Sequence, residues 1–496
     1  MRVARRPRLL KFLRAQVSLL NCLAIVWVFT VLWIECGRFS FSIAQCGWED
    51  KRLPSVRSSV THESPEAPYH VFIITDPQVQ APLPPQQGPI SRFRHWIYHH
   101  SLRKNWVYAR SLKPDAIVFL GDMLDGGRRL SGQKQYSQAV EHFREIFSLQ
   151  TSTGVHFVPG NEDVGLNPVP TDGPQARDFY VRYFGSANKK VTVRNHTFVL
   201  LDAPLLVEED YRRSKTRKTF EEWHSDDDGS VAFVRSSQRR VDPVILFTHI
   251  PLARPETASC GPLREHGTIR KGAGPGYQNT LGKLTTQFIM EHIKPSLVFS
   301  GDDRDYCEYS HNVTGIAGVP GDSSVREVTV KSFSPDKHID HPGFHLLSLV
   351  TPQSAVDQQH SPDAPTFADS PCFMPSPTTT LYLPFIAMTL LVLLIASLRQ
   401  PPSRRKSLLP SPILDIDHEY VSVHSATASW PSKLLSRGYK RSPMSPAAFS
   451  KERSPIGVPR RSLLHRIIRT LRRTFAKFIL VTFPALALWT LIICTL

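Results

Sequence analysis

Three stretches of the chain are apolar without interruption by charge: Val17–Ile34, Thr380–Leu398 and Phe478–Leu496. Each approaches the roughly 20 residues that a helix needs to cross a bilayer. The first reads as an anchor rather than a cleaved signal, because Glu35-Cys36-Gly37-Arg38 follows it with no small-residue cleavage pattern. Between the first two spans the pattern changes. His70–Thr75, Ala116–Leu120, Val155–Val158, Thr197–Leu201, Val244–Thr248 and Leu297–Ser300 are short, continuously apolar runs, as expected of strands buried on both faces. Glu327–Phe333 and Phe344–Val350 add two late strands. Ser91–Leu112, Gln133–Leu149 and Thr280–His292 lie between them with helical length and mixed polarity. Strand alternating with helix predicts a layered α/β domain over residues 69–350.

The flanking segments read as connections. Residues 36–68 form a polar stem, and 351–379, rich in Pro, Ser, Thr and Asp, a linker back to the membrane. Residues 399–477 are basic and, over most of their length, too rich in Ser, Pro and Arg to build a core. Four Ser-Pro pairs there are candidate phosphorylation sites.

Charge fixes an orientation. The formal net charge is +17, but residues 1–16 hold six Lys/Arg without an acid, and 399–477 hold 17 Lys/Arg against four acids. The rest is close to neutral. Excess positive charge confined beside apolar spans is the positive-inside signature rather than a nucleic-acid footprint. It places 1–16 and 399–477 in the cytoplasm and the α/β domain in the lumen. The run Arg466–Lys477 before the last span is not the polar spacer of a GPI-attachment signal. Two sequons, at Asn195 and Asn312, fall in the luminal part, as do five of the seven cysteines. An odd number leaves at least one of those five outside any intrachain disulfide.

Polar clusters follow five of the apolar runs. Asp76-Pro77-Gln78 follows the first. Gly121-Asp122-Met123-Leu124-Asp125-Gly126-Gly127-Arg128 follows the second and Gly160-Asn161-Glu162-Asp163 the third. His249 follows Val244–Thr248, and Gly301-Asp302-Asp303-Arg304-Asp305 follows the last. Ligands of open α/β sheets collect at the carboxyl ends of strands. Five such ends would converge carboxylate, carboxamide and imidazole donors, a set suited to manganese, magnesium, iron or zinc. Two ions about 3.5–4 Å apart can activate a water and clamp a phosphoryl group.

This order resembles the calcineurin-like metallophosphoesterase superfamily, whose pattern runs D-x-H, GDxxD, GNH[DE], H, GHxH; the likeness covers roughly Tyr69–Val350. It implies a layered β-sandwich flanked by helices, with transmembrane helices at both ends. It also implies two divalent metal ions, manganese being the expected one. Asp76, Gln78, Asp122, Asn161, His249 and Asp302 match metal positions, with Asp122 as the bridge. Asp125 and Arg128 match the residues that shape the phosphate surroundings. Glu162, Asp163 and Arg304 form the expected catalytic set. Four positions depart from the pattern. Gln78, Glu162, Asp302 and Arg304 stand where the superfamily carries histidine. A guanidinium cannot ligate a metal, so the first site lacks a donor unless Asp303 or Asp305 supplies it. Anchors at both ends and the Ser332-Phe333-Ser334 segment resemble the fungal and animal membrane phosphoesterases that remove ethanolamine phosphate from GPI-anchor glycans. The resemblance therefore implies a multi-pass protein of the endoplasmic reticulum or Golgi acting on GPI-anchored proteins or a lipid-linked glycan. The alternative function is a degenerate relative that binds phosphorylated glycans or GPI cargo without cleaving them.

Overall fold

A computed structural model describes residues 20–53, most of 67–376, a few between 386 and 394, and 463–495. Within 67–376 it leaves out 131, 150–152, 167–174, 225, 238–241, 313–323, 337–338 and 352–364. The chain divides into two compact units. Met1–Leu390 with Leu480–Leu496 forms the first; the second, Leu391–Ile479, is described almost only where the helix Leu463–Thr495 begins.

The expected strands form at or near their expected places, the late one expected over Glu327–Phe333 being displaced to Ser324–Thr329. They are β1 (Tyr69–Ile74), β3 (Ala116–Leu120), β5 (Gly154–Val158), β7 (His196–Leu201), β8 (Val244–Thr248), β11 (Leu297–Ser300), β13 (Ser324–Thr329) and β14 (Gly343–Leu349). The two-residue strands β2 (Val79–Gln80), β4 (Leu124–Asp125), β9 (Ala273–Gly274) and β10 (Tyr277–Gln278) lie in loops. Strands β6 (Lys189–Val193), β12 (Cys307–Asn312) and β15 (Phe367–Phe373) complete the set. Two mixed sheets result, of order β15-β14-β1-β3-β5 and β12-β13-β11-β8-β7-β6. Strand pairs β1–β3, β3–β5, β7–β8 and β8–β11 are parallel, so each sheet presents carboxyl ends together.

Side chains of β1 alternate between two cores, as the pleat requires. Val71 and Ile73 join Val118, Leu120, Phe198, Phe247 and Phe299 in a cluster shared by both sheets. Phe72 and Ile74 pack instead with Leu102, Trp106, Tyr136, Phe143 and Tyr180 from helices Pro89–Ala109, Gln133–Ile146 and Ala176–Phe184. The second sheet buries Val199, Leu246 and Val298 against helices Ala203–Lys215, Ser230–Arg235 and Lys283–Ile293. The layers are therefore helix, sheet, sheet, helix.

Two connections carry more structure than their composition predicts. The expected linker 351–379 contains β15, which pairs with β14 along its whole length and is tied by Cys372 to Cys46. The expected stem 36–68 begins as the helix Arg38–Gln45, whose Phe39 and Ile43 enter the helix-side core. A second disulfide joins Cys260 to Cys307, while Cys22 and Cys36 are free.

Two described segments, Leu20–Arg52 and Thr474–Ile492, are long and apolar enough to cross a membrane by length and composition. The helix Leu463–Thr495 runs through Pro484. The expected span 380–398 lies mostly outside the described residues, and residues 1–16 and 399–462 lie wholly outside them.

Candidate metal centre

All five motif loops open at the same edge of the two sheets. Backbone bonds knit them. Asp76 N donates to Gly121 O at 3.1 Å, Gln78 N to Asp122 O at 2.9 Å, and Gly301 N to His249 O at 2.8 Å. Side chains add to this: Glu162 N donates to Asp122 Oδ1 at 2.9 Å and Asp302 N to Asp76 Oδ2 at 3.2 Å. Ten non-glycine residues among those described have positive φ, and five sit here: Asp76, Gln78, Asp122, Asp302 and Arg304. Such residues cost of order 1–3 kcal/mol each and persist where their surroundings over-determine them, as these cross-bonded loops do. Close packing adds a second constraint. A Cβ on Gly160 would fall 2.1 Å from Asp122 Oδ1, and one on Gly121, itself at φ +94, would fall 2.2 Å from His249 Nδ1.

The convergence leaves three polar atoms buried without a hydrogen-bond partner: Asp76 Oδ1, Asn161 Oδ1 and His249 Nε2. Each is oriented by its other atom. Thr75 Oγ1 donates to Asp76 Oδ2 at 2.6 Å, and Asn161 Nδ2 donates to Gly276 O at 3.0 Å. His249 Nδ1 lies 2.7 Å from Leu120 O and donates to it, which turns Nε2 to the cluster. Burial lowers the ring's pKa, but Asp122, Asp76 and Asp302 together hold it well above the ordinary value, and a metal would take the place of the Nε2 proton. Nε2 lies 3.3 Å from Asp122 Oδ1 and 3.7 Å from Asp302 Oδ1. Ligand atoms of Asp76, Asp122 and His249 fall within 4.8 Å of one another. Orphaned atoms that are all electron-pair donors fit a divalent cation, which is the partner they lack.

Electrostatics agree. Burial pushes Asp76 up from the ordinary carboxylate range, with Asp122 adding to it and His249 opposing. Burial likewise pushes Asp302 up to about 7, against the pull of His249 and with repulsion from Asp122 and Asp76. A cation would relieve that crowding.

Other expected residues have different tasks. Gln78 Nε2 lies 3.4 Å from Asp122 Oδ2, so its carboxamide is at the cluster. Glu162 is gripped by Arg128, whose Nε and NH2 donate at 3.3 and 3.2 Å, with Arg129 at 3.8 Å. Arg128 thus engages Glu162 rather than standing ready for phosphate alone. Asp125 is exposed and lies 4.0 Å from Arg129. Asp163, expected among the catalytic residues, is a brace. It is fully buried and accepts backbone N–H groups from Met123 at 3.3 Å, Leu124 at 3.0 Å and Gly160 at 2.9 Å, fixing the loops that carry Asp122 and Asn161. Neither Asp303 nor Asp305 completes the first site. Asp303 pairs with Arg264 at 2.5 Å, and Asp305 accepts from Glu265 N and His266 N and lies 3.3 Å from Lys331. Arg304 holds Asp336 at 2.5 Å, and its charge acts on Asp76 and Asp122.

The sequence did not point to Asp336, nor to Tyr98, whose hydroxyl donates to Gln78 O at 2.9 Å. Ser332 belongs to the late segment singled out by resemblance, and its Oγ donates to Asp76 O at 3.1 Å. Away from the centre, Asn195 lies exposed at the β6–β7 turn and Asn312 exposed at the end of β12.

The profile of the calcineurin-like phosphoesterase family matches residues 69–303. Cell division control protein 1 of Saccharomyces cerevisiae is 30% identical over 366 residues, covering 71% of this chain and 69% of the yeast protein. Metallophosphoesterase 1 of Ailuropoda melanoleuca is 24% identical over 428 residues, covering 81% of this chain and 93% of that protein. A dimetal phosphatase structure from Danio rerio covers 57% of this chain and 93% of its own at 15% identity and TM-score 0.35, too distant to carry an argument. Motif order, convergent donors and the yeast relative lead to one conclusion: this chain is a phosphoesterase and belongs to the calcineurin-like phosphoesterase family.

Proposed function

We propose that this chain is a membrane-held phosphodiesterase of the secretory pathway that removes ethanolamine phosphate from the mannose of GPI-anchor glycans. The observation that carries the chemistry is the set of orphaned donors on Asp76, Asn161 and His249 around Asp122. The substrate rests on the resemblance of the motif set and the two anchored ends. Two disulfides and exposed sequon asparagines support a luminal domain, since disulfides persist in oxidising compartments.

Asp122, Asn161, His249 and Asp302 would hold one ion, and Asp76 and Gln78 with Asp122 a weaker second, manganese suiting both. An ion there supplies an activated water and neutralises phosphoryl charge. The residues do the rest. Leu120 O holds His249 in the tautomer that can ligate. Arg304, fixed by Asp336, offers a permanent positive charge on the side where the first site is short of a donor. Glu162 follows Asn161 directly, and burial, then Asp122, raise its carboxyl while Arg128 lowers it. It is positioned to give a proton to the mannose oxygen as the phosphorus–oxygen bond breaks. Water adds to phosphorus, and the products are phosphoethanolamine and a free mannose hydroxyl.

The test is incubation of the full chain in detergent with a GPI glycan bearing phosphoethanolamine, read by mass. Loss of one ethanolamine phosphate, absent in Asp122→Asn, is expected. Hydrolysis of soluble phosphomonoesters with the glycan untouched would sink the substrate assignment.

A further inference from the structure

The helix Pro89–Ala109 leaves its first turns outside the body of the domain. Ile90 is 70% exposed, Phe93 54% and Trp96 40%. At about 3.6 residues per turn these three, with Ile97, His100 and Lys104, form one stripe. Arg92 and Arg94 fall on its two sides. Apolar side chains ending in a tryptophan and flanked by arginines are the composition of a helix lying in a membrane interface.

The stripe runs directly into the apolar terminal helices. Trp96 meets Trp489 of the last helix at 6.3 Å between ring centroids, edge to face, and stacks on Phe93 at 5.9 Å. At its far end Lys104 pairs at 2.5 Å with Glu35, a buried acid at the end of the first apolar segment. Glu35 also accepts from Trp489 Nε1 at 3.3 Å. The exposed face is thus continuous with the segments that would span the bilayer, and it meets them beside Glu35, the acid that ends the uncharged run Val17–Ile34.

We infer that Ile90, Phe93 and Trp96 insert into the luminal leaflet of the membrane that holds the chain, with Arg92 and Arg94 at lipid phosphates. The inference rests on the reading that the terminal segments cross that membrane. Its consequence is positional. The same helix carries Tyr98, bonded to Gln78 O, and Asn105, whose Nδ2 donates to Phe333 O at 3.2 Å beside Ser332 and Ser334. Seating this helix in the leaflet sets the height of the metal loops above the headgroups, so phosphoesters held close to the membrane are the class this centre reaches.

The test uses the full chain in nanodiscs of phosphatidylcholine with anionic lipid. Cys22→Ser, Cys36→Ser and Cys494→Ser leave only the four cysteines of the two disulfides, and a nitroxide is placed by Phe93→Cys. Ile90→Cys serves as a second reporter, Phe29→Cys reports the first span, and Asp227→Cys reports water. Oxygen and nickel-chelate accessibilities give depth. The expected result places position 93 about 5–10 Å into the headgroup–acyl boundary. Water-like values at 90 and 93 with a lipid-like value at 29 would overturn the inference, including in favour of a protein partner on this face. Water-like values at 29 as well would overturn the spanning reading, and the inference with it.

Discussion

The convergence of the candidate donors was legible residue by residue, because a donor placed just past a buried strand has one direction in which to be useful. Asp76, Asp122, Asn161 and His249 all stand at such positions and all meet. Direction was not legible for residues one or two further on. Asp163 turns back to cap three backbone N–H groups, and Asp303 and Asp305 turn to Arg264 and Lys331. Side-chain type alone does not encode that choice; the partner, distant in sequence, does. The brace can be tested. Asp163→Ala leaves three buried donors unmatched, each costing about 1–3 kcal/mol, and should lower both melting temperature and metal affinity. Glu162→Gln keeps a side-chain oxygen for Arg128 and should cost clearly less, and equal losses in the two variants would contradict the distinction. Burial pushes Asp302 and Asp163 from 3.8 up to about 7 in the metal-free protein. A folded-state value above the unfolded one means stability that is present below the unfolded value and lost as pH rises to the folded one. The metal-free chain should therefore melt lower at about pH 8 than at about pH 5.5, and manganese should reverse the loss at the higher pH, since it binds the ionised form. A melting temperature that climbs over that window without metal would refute the assignment.

Buried parallel strands announced themselves as apolar runs, so β1, β3, β7, β8 and β11 needed nothing beyond the sequence. Strand β5 was legible from the same pattern, although it lies at a sheet edge with only Val158 buried. The other edge strands were not. Phe367–Phe373 reads FADSPCF, with a proline and two polar residues, and such a strand is tolerated only at a sheet edge, where β15 lies. Its place is secured by the disulfide to Cys46, whose partner lies 326 residues away in sequence. Closing so long a loop removes much unfolded-state entropy. Cys372→Ala should cost about 2–5 kcal/mol in reversible denaturation of the full chain. A loss well under 1 kcal/mol would mean that β15 holds its edge without the staple. Any soluble fragment for binding work must keep both residues, so a cut at 48 or 370 would be a poor choice.

Over the whole molecule, charge asymmetry carries the proposed topology: excess Lys/Arg beside apolar segments is the basis for setting a cytoplasmic side opposite the α/β domain. Packing was not readable at that scale, because Glu35 and Trp489 are 454 residues apart and only the fold brings them to a hydrogen bond. The luminal orientation predicts glycans on both Asn195 and Asn312. Expression in secretory-competent cells, with and without endoglycosidase, should give a mobility shift that shrinks by one step in each single Asn→Gln variant; an unshifted chain would place the domain on the other side. The central claim is the metal centre itself, and metal content of the full chain after equilibration with manganese and removal of free ion tests it most directly. At least one tightly held ion per chain, lost in Asp122→Asn and in His249→Ala, is the predicted result. No retained metal in the folded wild-type chain would contradict the account.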